Sequence, residues 1–366
     1  MSESQTRQAD RESGPSQLRL ALPGKGTLEA ATLTFLAECG LKVQRSNPRQ
    51  YLARIGSLPE LEVVFQRAAD IPALVQDGDA ILGITGYDLF AEYRGADEEA
   101  EEQEEGDDDL MVLERDLGYG SCRLVVAVPE TWIDVNTCAD LWHLAGYYQA
   151  HKGRGLRIAT KYPALTRRFL RRHGISHCRI VTPHGALEAA PLTGVADLIV
   201  DLTETGTTLR ENHLKLLEDG VVLRSQACLI GNVRLLSEHS QALKVARLLL
   251  ELITARLQAR NRVLLTAYVP GSGEEVSSLL SMRLKRLVPG FEYHIGSSES
   301  TDDPQAQRCR VSGVIRMGEA IADLLEIIAA LRGMGAEQID VTPLAYRFGQ
   351  EPASLQRLSE RMARRR

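Results

Sequence analysis

No stretch of the 366 residues approaches the roughly 18 consecutive apolar residues that a membrane-spanning helix needs, so no membrane association is expected. Met1 to Gln17 is polar and mixed in charge, with no apolar segment ahead of a cleavage site, and does not read as a secretory signal. The 6 cysteines, Cys39, Cys122, Cys138, Cys178, Cys228 and Cys309, include no Cys-x-x-Cys pair. Most lie in apolar surroundings and read as reduced core residues of a cytoplasmic protein. His173, His177 and Cys178 are neighbours in sequence, but no second ligand pair follows at a zinc spacing, so no dedicated metal centre is expected. Nucleotide fingerprints are missing as well. Lys25 is followed by Gly26 rather than Ser or Thr, which excludes a P-loop, and Gly83 and Gly86 do not make a dinucleotide-binding turn. No Ser-His-Asp arrangement is identifiable.

What is present begins with charge. The formal net charge is −6, yet the run Asp97 to Asp109 alone holds ten acidic residues and no basic one. Without it the rest carries +4, which suits anionic small molecules without demanding nucleic acid. The run is too charged to bury and is expected to be a solvated insertion, bounded at 94–110. Residues 1–16 are expected to form a disordered tail. The length predicts two or three domains.

Strand and helix patterns alternate from Leu18 to Asp201, which predicts an α/β fold with mostly parallel strands. A strand over Gly220 to Ile230 then leads into an amphipathic helix, about Ser237 to Arg260. Its apolar residues Leu243, Ala246, Leu249, Leu250, Ile253 and Leu257 recur at helical spacing. From Val263 the pattern becomes β-α-β-β-α-β, the ferredoxin-like unit. Residues 349–366, with the arginine-rich end, are expected to be a solvated tail.

One segment carries chemistry. Val195 to Asp201 is an apolar strand ending in a carboxylate, and Thr203, Glu204, Thr205, Gly206, Thr207 and Thr208 follow. A helix is predicted over Thr208 to Glu218, with a shorter one over Gly185 to Ala190. A helix start presents unpaired N–H groups to an anion, Gly206 permits close approach, and the threonines add hydroxyls. Asp197 and Asp201 stand four residues apart on the strand, hence on one face. Such carboxylates suit ribose hydroxyls or a Mg²⁺ ion held on a pyrophosphate. A capped helix with locally satisfied threonines is the plainer alternative. Placement at the carboxyl end of a strand, where α/β sheets bind ligands, favours the cradle.

Asp201 to Leu209 resembles the phosphoribosyl pyrophosphate (PRPP) loop of the ATP phosphoribosyltransferases. Leu22 to Gly26, Phe65 to Pro72, Gly83 to Asp88, Leu117 to Leu124, Arg157 to Pro163 and Gly185 to Pro191 resemble further blocks in family order. Asn47 to Tyr51 is similar to the plant-type branch. The resemblance spans about Leu18 to Phe348, interrupted by the acidic insertion.

The resemblance implies a catalytic part of two lobes arranged like a type II periplasmic binding protein. Lobe I would be 17–117 and 223–260, and lobe II, carrying the PRPP loop, 118–222. A ferredoxin-like (ACT-like) regulatory α+β domain would follow at 261–348. It implies transfer of the phosphoribosyl group to adenine N1 of ATP as the first step of histidine synthesis. Mg²⁺ would act through the substrate phosphates, histidine would inhibit, and the chain would form dimers and hexamers. Asp201 and Glu188 are the expected catalytic pair. Asp197, Asp201, Thr203, Glu204, Thr205, Gly206, Thr207 and Thr208 are expected on PRPP, and Lys25, Arg49, Arg67 and Lys161 on ATP or pyrophosphate. A binding protein on the same fold, or another phosphoribosyltransferase, would be the rival readings.

Overall fold

The computed structural model describes residues 18–47, 49–95, 109–182, 186–287, 292–299, 308–317, 322–336 and 338–364. The expected tail 1–16 and nearly all of the acidic run lie outside the described residues, as do Pro48 and Gly185. The chain divides into two compact units, one of Met1–Leu250 with Ala353–Arg366 and one of Glu251–Pro352.

The first unit contains two sheets. The seven-stranded sheet runs in the order β2-β3-β4-β1-β5-β12-β6. Its strands are β1 (Leu18–Pro23), β2 (Val43–Gln44), β3 (Leu52–Ile55), β4 (Leu58–Gln66), β5 (Leu82–Gly86), β6 (Leu110–Glu114) and β12 (Ala227–Asn232). β1 pairs in parallel with β4 and β5, whereas β12 runs antiparallel to β5 and β6. Every residue of β5 and β12 is buried, as expected of inner strands covered on both faces. Gly83 on β5 lets helix α2 (Ile71–Gln76) lie directly on the sheet, because a Cβ there would meet Ile71 Cγ2 at 2.6 Å. Helix α1 (Thr27–Glu38) follows β1 and buries Thr32, Phe35 and Leu36.

The five-stranded sheet has the order β11-β7-β10-β8-β9. Its strands are β7 (Cys122–Pro129), β8 (Leu156–Thr160), β9 (Cys178–Val181), β10 (Leu198–Thr203) and β11 (Leu214–Ser225). Residues alternate along β7 between two cores, Leu124, Val126 and Val128 on one face and Val125 and Ala127 on the other. Both faces are therefore covered. Helices α4 (Cys138–Lys152) and α5 (Pro163–Arg172) supply Leu141, Leu165 and Phe169 to the first of these cores. α4 begins on a capping box made by Thr137 and Asp140. The chain crosses between the sheets once after β6 and again at Gln226, between β11 and β12.

Helix α3 (Tyr87–Gly95) ties the two sheets together. The Glu92 carboxylate accepts the N–H groups of Ala164 (2.8 Å) and Leu165 (2.9 Å), capping α5 from another element. The buried Asp88 accepts hydrogen bonds from Tyr162 Oη (2.7 Å) and Ser225 Oγ (2.6 Å).

Three local expectations are corrected. The helix after the threonine loop, α6, spans only Thr207–Glu211. His213 takes a left-handed φ of 56°, and the chain continues as β11. Leu214 and Leu217 look helical by spacing, but three residues along a strand put them on opposite faces, and β11 buries them in opposite cores. Leu187 to Gly194 is a series of turns rather than a helix, anchored by buried Leu187 and Ala190. Residues 353–364 are not a solvated tail. They form helix α11 (Ala353–Arg364), with Leu355 and Leu358 buried and Arg357 donating to the Leu113 carbonyl at 3.1 Å.

Between β12 and the second unit lie α7 (Val233–Glu238) and α8 (Ser240–Ala259), and the boundary between the units falls within α8. The second unit contains β13 (Arg262–Pro270), α9 (Gly273–Leu287), β14 (Glu292–Glu299), β15 (Arg308–Arg316), α10 (Ala322–Arg332) and β16 (Ile339–Pro343). Its sheet order is β14-β15-β13-β16, all antiparallel, the ferredoxin-like arrangement. Val263, Leu265, Ala267 and Val269 of β13 pack with Val276 and Leu280 of α9 and Leu324, Ile327 and Leu331 of α10.

Candidate functional site

β10 lies inside its sheet, between β7 and β8. Leu198, Ile199 and Val200 are buried, while Asp201, Leu202 and Thr203 are half-exposed at the strand's carboxyl end. The chain must then leave the sheet sharply. Gly206, at φ 80°, makes that turn and stands at the N-cap of α6. The loop is held by its own hydroxyls. Thr203 Oγ1 accepts the Gly206 N–H at 2.8 Å, and the Thr205 and Thr207 hydroxyl oxygens lie 2.9 Å apart. No side chain caps α6. A five-residue helix has little aligned dipole, so attraction for an anion here comes from individual N–H and O–H groups.

Glu188, Asp201, Thr203, Glu204, Thr205, Thr207 and Thr208 line one cavity of about 360 Å³, with Leu202 and Leu209. Glu188 arrives from the turn region before β10, so the carboxylates of Glu188 and Asp201 reach a common space from separate segments. Burial raises the Asp201 pKa from its ordinary value, opposed by the Leu202 N–H and the Lys161 charge and reinforced by Glu188. Lys161 is placed by register. Thr160 of β8 pairs with Val200, so the next residues on the two strands are Lys161 and Asp201. The donor set is oxygen throughout, carboxylates and hydroxyls, which is the chemistry a hard divalent cation or its hydration shell accepts.

Asp197 does not join this group. It precedes β10 at the opposite end and is held by Arg154 (2.6 and 2.9 Å), by the Arg157 guanidinium (3.0 Å) and by the Arg157 N–H (2.8 Å). Those partners outweigh the cost of burial and hold its carboxyl well below the usual range. Spacing along the strand gave the correct face but ignored its length. Leu198, Ile199 and Val200 separate the two carboxylates, and only Asp201 reaches the cavity.

The remaining basic candidates lie on the first sheet. The Gly24 N–H donates to the Gln66 carbonyl at 2.8 Å, which brings Lys25 and Arg67 together past the carboxyl ends of β1 and β4. Both are exposed. Arg49 is exposed in a turn where its N–H bonds Asn47 Oδ1. None of the three lines the cavity around the threonine loop.

Asp88, Tyr162 and Ser225 had no role assigned from sequence, although two of them fall in family-like blocks. Their only sequence signal is an acid and a phenol in otherwise apolar surroundings. All six cysteines are free. His173 does not meet His177 and Cys178 but approaches Cys138 and Asp219, with ligand-type atoms within 4.8 Å of one another. Asp219 there accepts the Cys138 N–H at 2.8 Å, and the Cys138 thiol is pushed up to about 12, by burial first and then by Asp219. It stays protonated, as befits a packed thiol rather than a ligand. Among the described residues, no helix is long and apolar enough to cross a membrane.

Fold and cavity together define a two-lobed α/β protein with an oxygen-rich pocket at the carboxyl edge of one sheet. The sequence model of the family described as ATP phosphoribosyltransferase matches residues 67–258. ATP phosphoribosyltransferase 2, chloroplastic, from Arabidopsis thaliana is 37% identical over 346 residues, 92% of this chain and 79% of that one. The ATP phosphoribosyltransferase of Caulobacter vibrioides strain NA1000 is 36% identical over 341 residues, 93% of this chain and 96% of that one. Among solved structures, an ATP phosphoribosyl transferase complex from Thermotoga maritima is 28% identical. It covers 65% of this chain and 98% of that one at a TM-score of 0.46. The chain belongs to the ATP phosphoribosyltransferase family. It is a pentosyltransferase, the phosphoribosyl-transferring enzyme of histidine biosynthesis.

Proposed function

We propose that the enzyme joins adenine N1 of ATP to the anomeric carbon of PRPP and releases pyrophosphate. The observation that carries the site assignment is the convergence of Glu188, Asp201 and the threonine loop on one cavity. Thr205, Gly206, Thr207 and Thr208 hold the 5-phosphate through N–H and O–H donors, and Thr203 fixes the loop. Asp201 and Glu188 accept hydrogen bonds from the ribose hydroxyls. As pyrophosphate departs, the anomeric carbon gains positive character, and the two carboxylates stabilise it electrostatically. No protein nucleophile is needed, because placing adenine N1 opposite the leaving group lowers the barrier by orientation. Mg²⁺, when bound, neutralises the leaving pyrophosphate. Glu188, Asp201 and Glu204 are the residues that would face it.

Lys161, beside the Asp201 carboxylate, is assigned to ATP or pyrophosphate. Lys25, Arg67 and Arg49 are assigned to the phosphates of ATP or pyrophosphate, supported for the first two by their shared place at the carboxyl edge of the first sheet. Histidine inhibits through the ferredoxin-like unit, and the chain works in the cytoplasm as dimers and hexamers, as the family resemblance implies.

The test is an assay of phosphoribosyl-ATP formation from ATP, PRPP and Mg²⁺, with and without histidine. Product is expected, and saturating histidine should suppress it. A folded protein that makes no product overturns the reaction assigned here. An unchanged rate at saturating histidine removes the inhibition while leaving the reaction intact.

A further inference from the structure

The second unit has a feature that the transfer reaction does not use. On the sheet face away from α9 and α10, Arg262 of β13 stands directly opposite Arg316 of β15. Like charges in that position repel, and a sheet ordinarily avoids them. A third guanidinium, Arg347, joins from the segment after β16. It is positioned by its own N–H, which donates to the Ala255 carbonyl at 2.9 Å, and by Leu344 N–H donating to the Arg262 carbonyl at 3.1 Å.

The three arginines line a cavity of about 450 Å³ together with Leu264, His294 and Ser312. Among the described residues no ion pair neutralises any of the three guanidiniums, and no carboxylate lines the cavity. Partial burial, and then the fields of Arg347 and Arg316, hold the Arg262 pKa below its ordinary value. Three guanidiniums held against their own repulsion, with hydroxyl and imidazole groups alongside, leave a concave site whose missing partner is negative charge. Planar forks arranged around a concavity match phosphate oxygens, which accept paired N–H bonds from several sides.

We propose that the Arg262, Arg316 and Arg347 cavity is a binding site for a multiply charged phosphate anion, separate from the catalytic cavity. It shares no residue with the threonine loop and does not depend on the roles assigned there. Ser312 Oγ and the His294 ring supply further polar contacts at its wall. Leu264 gives an apolar floor where a ribose or base edge could rest, so a nucleotide and a bare diphosphate share the same recognition chemistry.

The test is a site-resolved footprint on the full-length protein. Arginines are modified with phenylglyoxal, and modification is located by peptide mass spectrometry in the presence of inorganic phosphate, pyrophosphate or ATP. Pyrophosphate is expected to protect Arg262, Arg316 and Arg347 together, while exposed Arg172 on α5 is unaffected. The three arms separate orthophosphate, diphosphate and nucleotide as the preferred form. Equal modification of the three arginines in all arms overturns the proposal. So does protection without ligand that disappears on dilution, because a second copy of the chain then covers the face. A second measurement uses Arg316→Gln with pyrophosphate in equilibrium dialysis. The variant should keep its transfer activity and lose the second bound equivalent, with affinity there falling about tenfold, or about 1.4 kcal/mol. Unchanged stoichiometry and affinity would overturn the site even if the footprint changed.

Discussion

Asp201 and Asp197 are the same residue type four positions apart, yet their surroundings assign them opposite duties. Asp201 has one local N–H partner and a rising pKa caused by burial. Folding therefore favours its protonated form in acid, and this advantage is lost as pH rises through the raised value. At neutral pH the site holds a carboxylate at a cost. Asp201→Asn should lower kcat/KM about 100-fold, through lost charge at the anomeric centre. It should leave the melting temperature equal or higher; a lower one would contradict the strain argued here. Asp197 is the reverse case. Its pKa is depressed by two arginines, so its stabilisation is present above the unfolded carboxylate value near 4 and is lost as pH falls below it. Asp197→Asn should cost about 2 kcal/mol at pH 7, a figure reduced for the partial exposure of both arginines, with the KM for PRPP unchanged. Urea denaturation at pH 7 and pH 3, alongside kinetics, checks both halves. A rise in KM at intact stability would return Asp197 to the binding site.

At the scale of elements, the loop from β10 to α6 depends on one backbone conformation. Gly206 adopts φ 80°, and an added Cβ would meet nothing closer than Leu216 Cδ1 at 3.7 Å. Space is available there, and the penalty is conformational. Gly206→Ala should therefore cost about 1 kcal/mol in stability while shifting the adjacent N–H groups. The expected kinetic signature is a rise in KM for PRPP with little change in KM for ATP, and equal changes in both would count against the cradle. The predicted helix over Thr208 to Glu218 failed for a related reason. Apolar spacing of three suits one face of a helix and also the two opposite faces of a strand buried on both sides, and only the partner strand decides between them. β7 supplies that partner, pairing Leu214 with Pro129 and, after the bulge, Val221 with Val125. In the second unit the β-α-β-β-α-β order was legible, because each element buries one face on one small core.

For the molecule as a whole, the C-terminal segment shows how local composition misleads. Its arginines suggested solvent, but α11 places Leu355, Leu358 and Met362 inside the first unit and its charges outside. A chain ending at Pro352 should lose about 5 kcal/mol from that unit, the burial value of two leucines and a methionine. Comparing denaturant midpoints of the full and shortened chains tests this, and equal midpoints would show the helix to be dispensable. The sequence by itself determined the family, the α/β alternation, the ferredoxin-like unit and the loop from Asp201 to Thr208. Those features depend on residue types and spacings that act locally, through turns, strand periodicity and hydroxyl-rich loop chemistry. Tertiary structure alone decided that Glu188 meets Asp201 and that Asp197 is tied to Arg154 and Arg157. It alone set Asp88 between Tyr162 and Ser225, and Arg262 beside Arg316 and Arg347. Each of these pairings joins residues distant in sequence, and side-chain charge and burial acquire their meaning only when the partner's position is fixed.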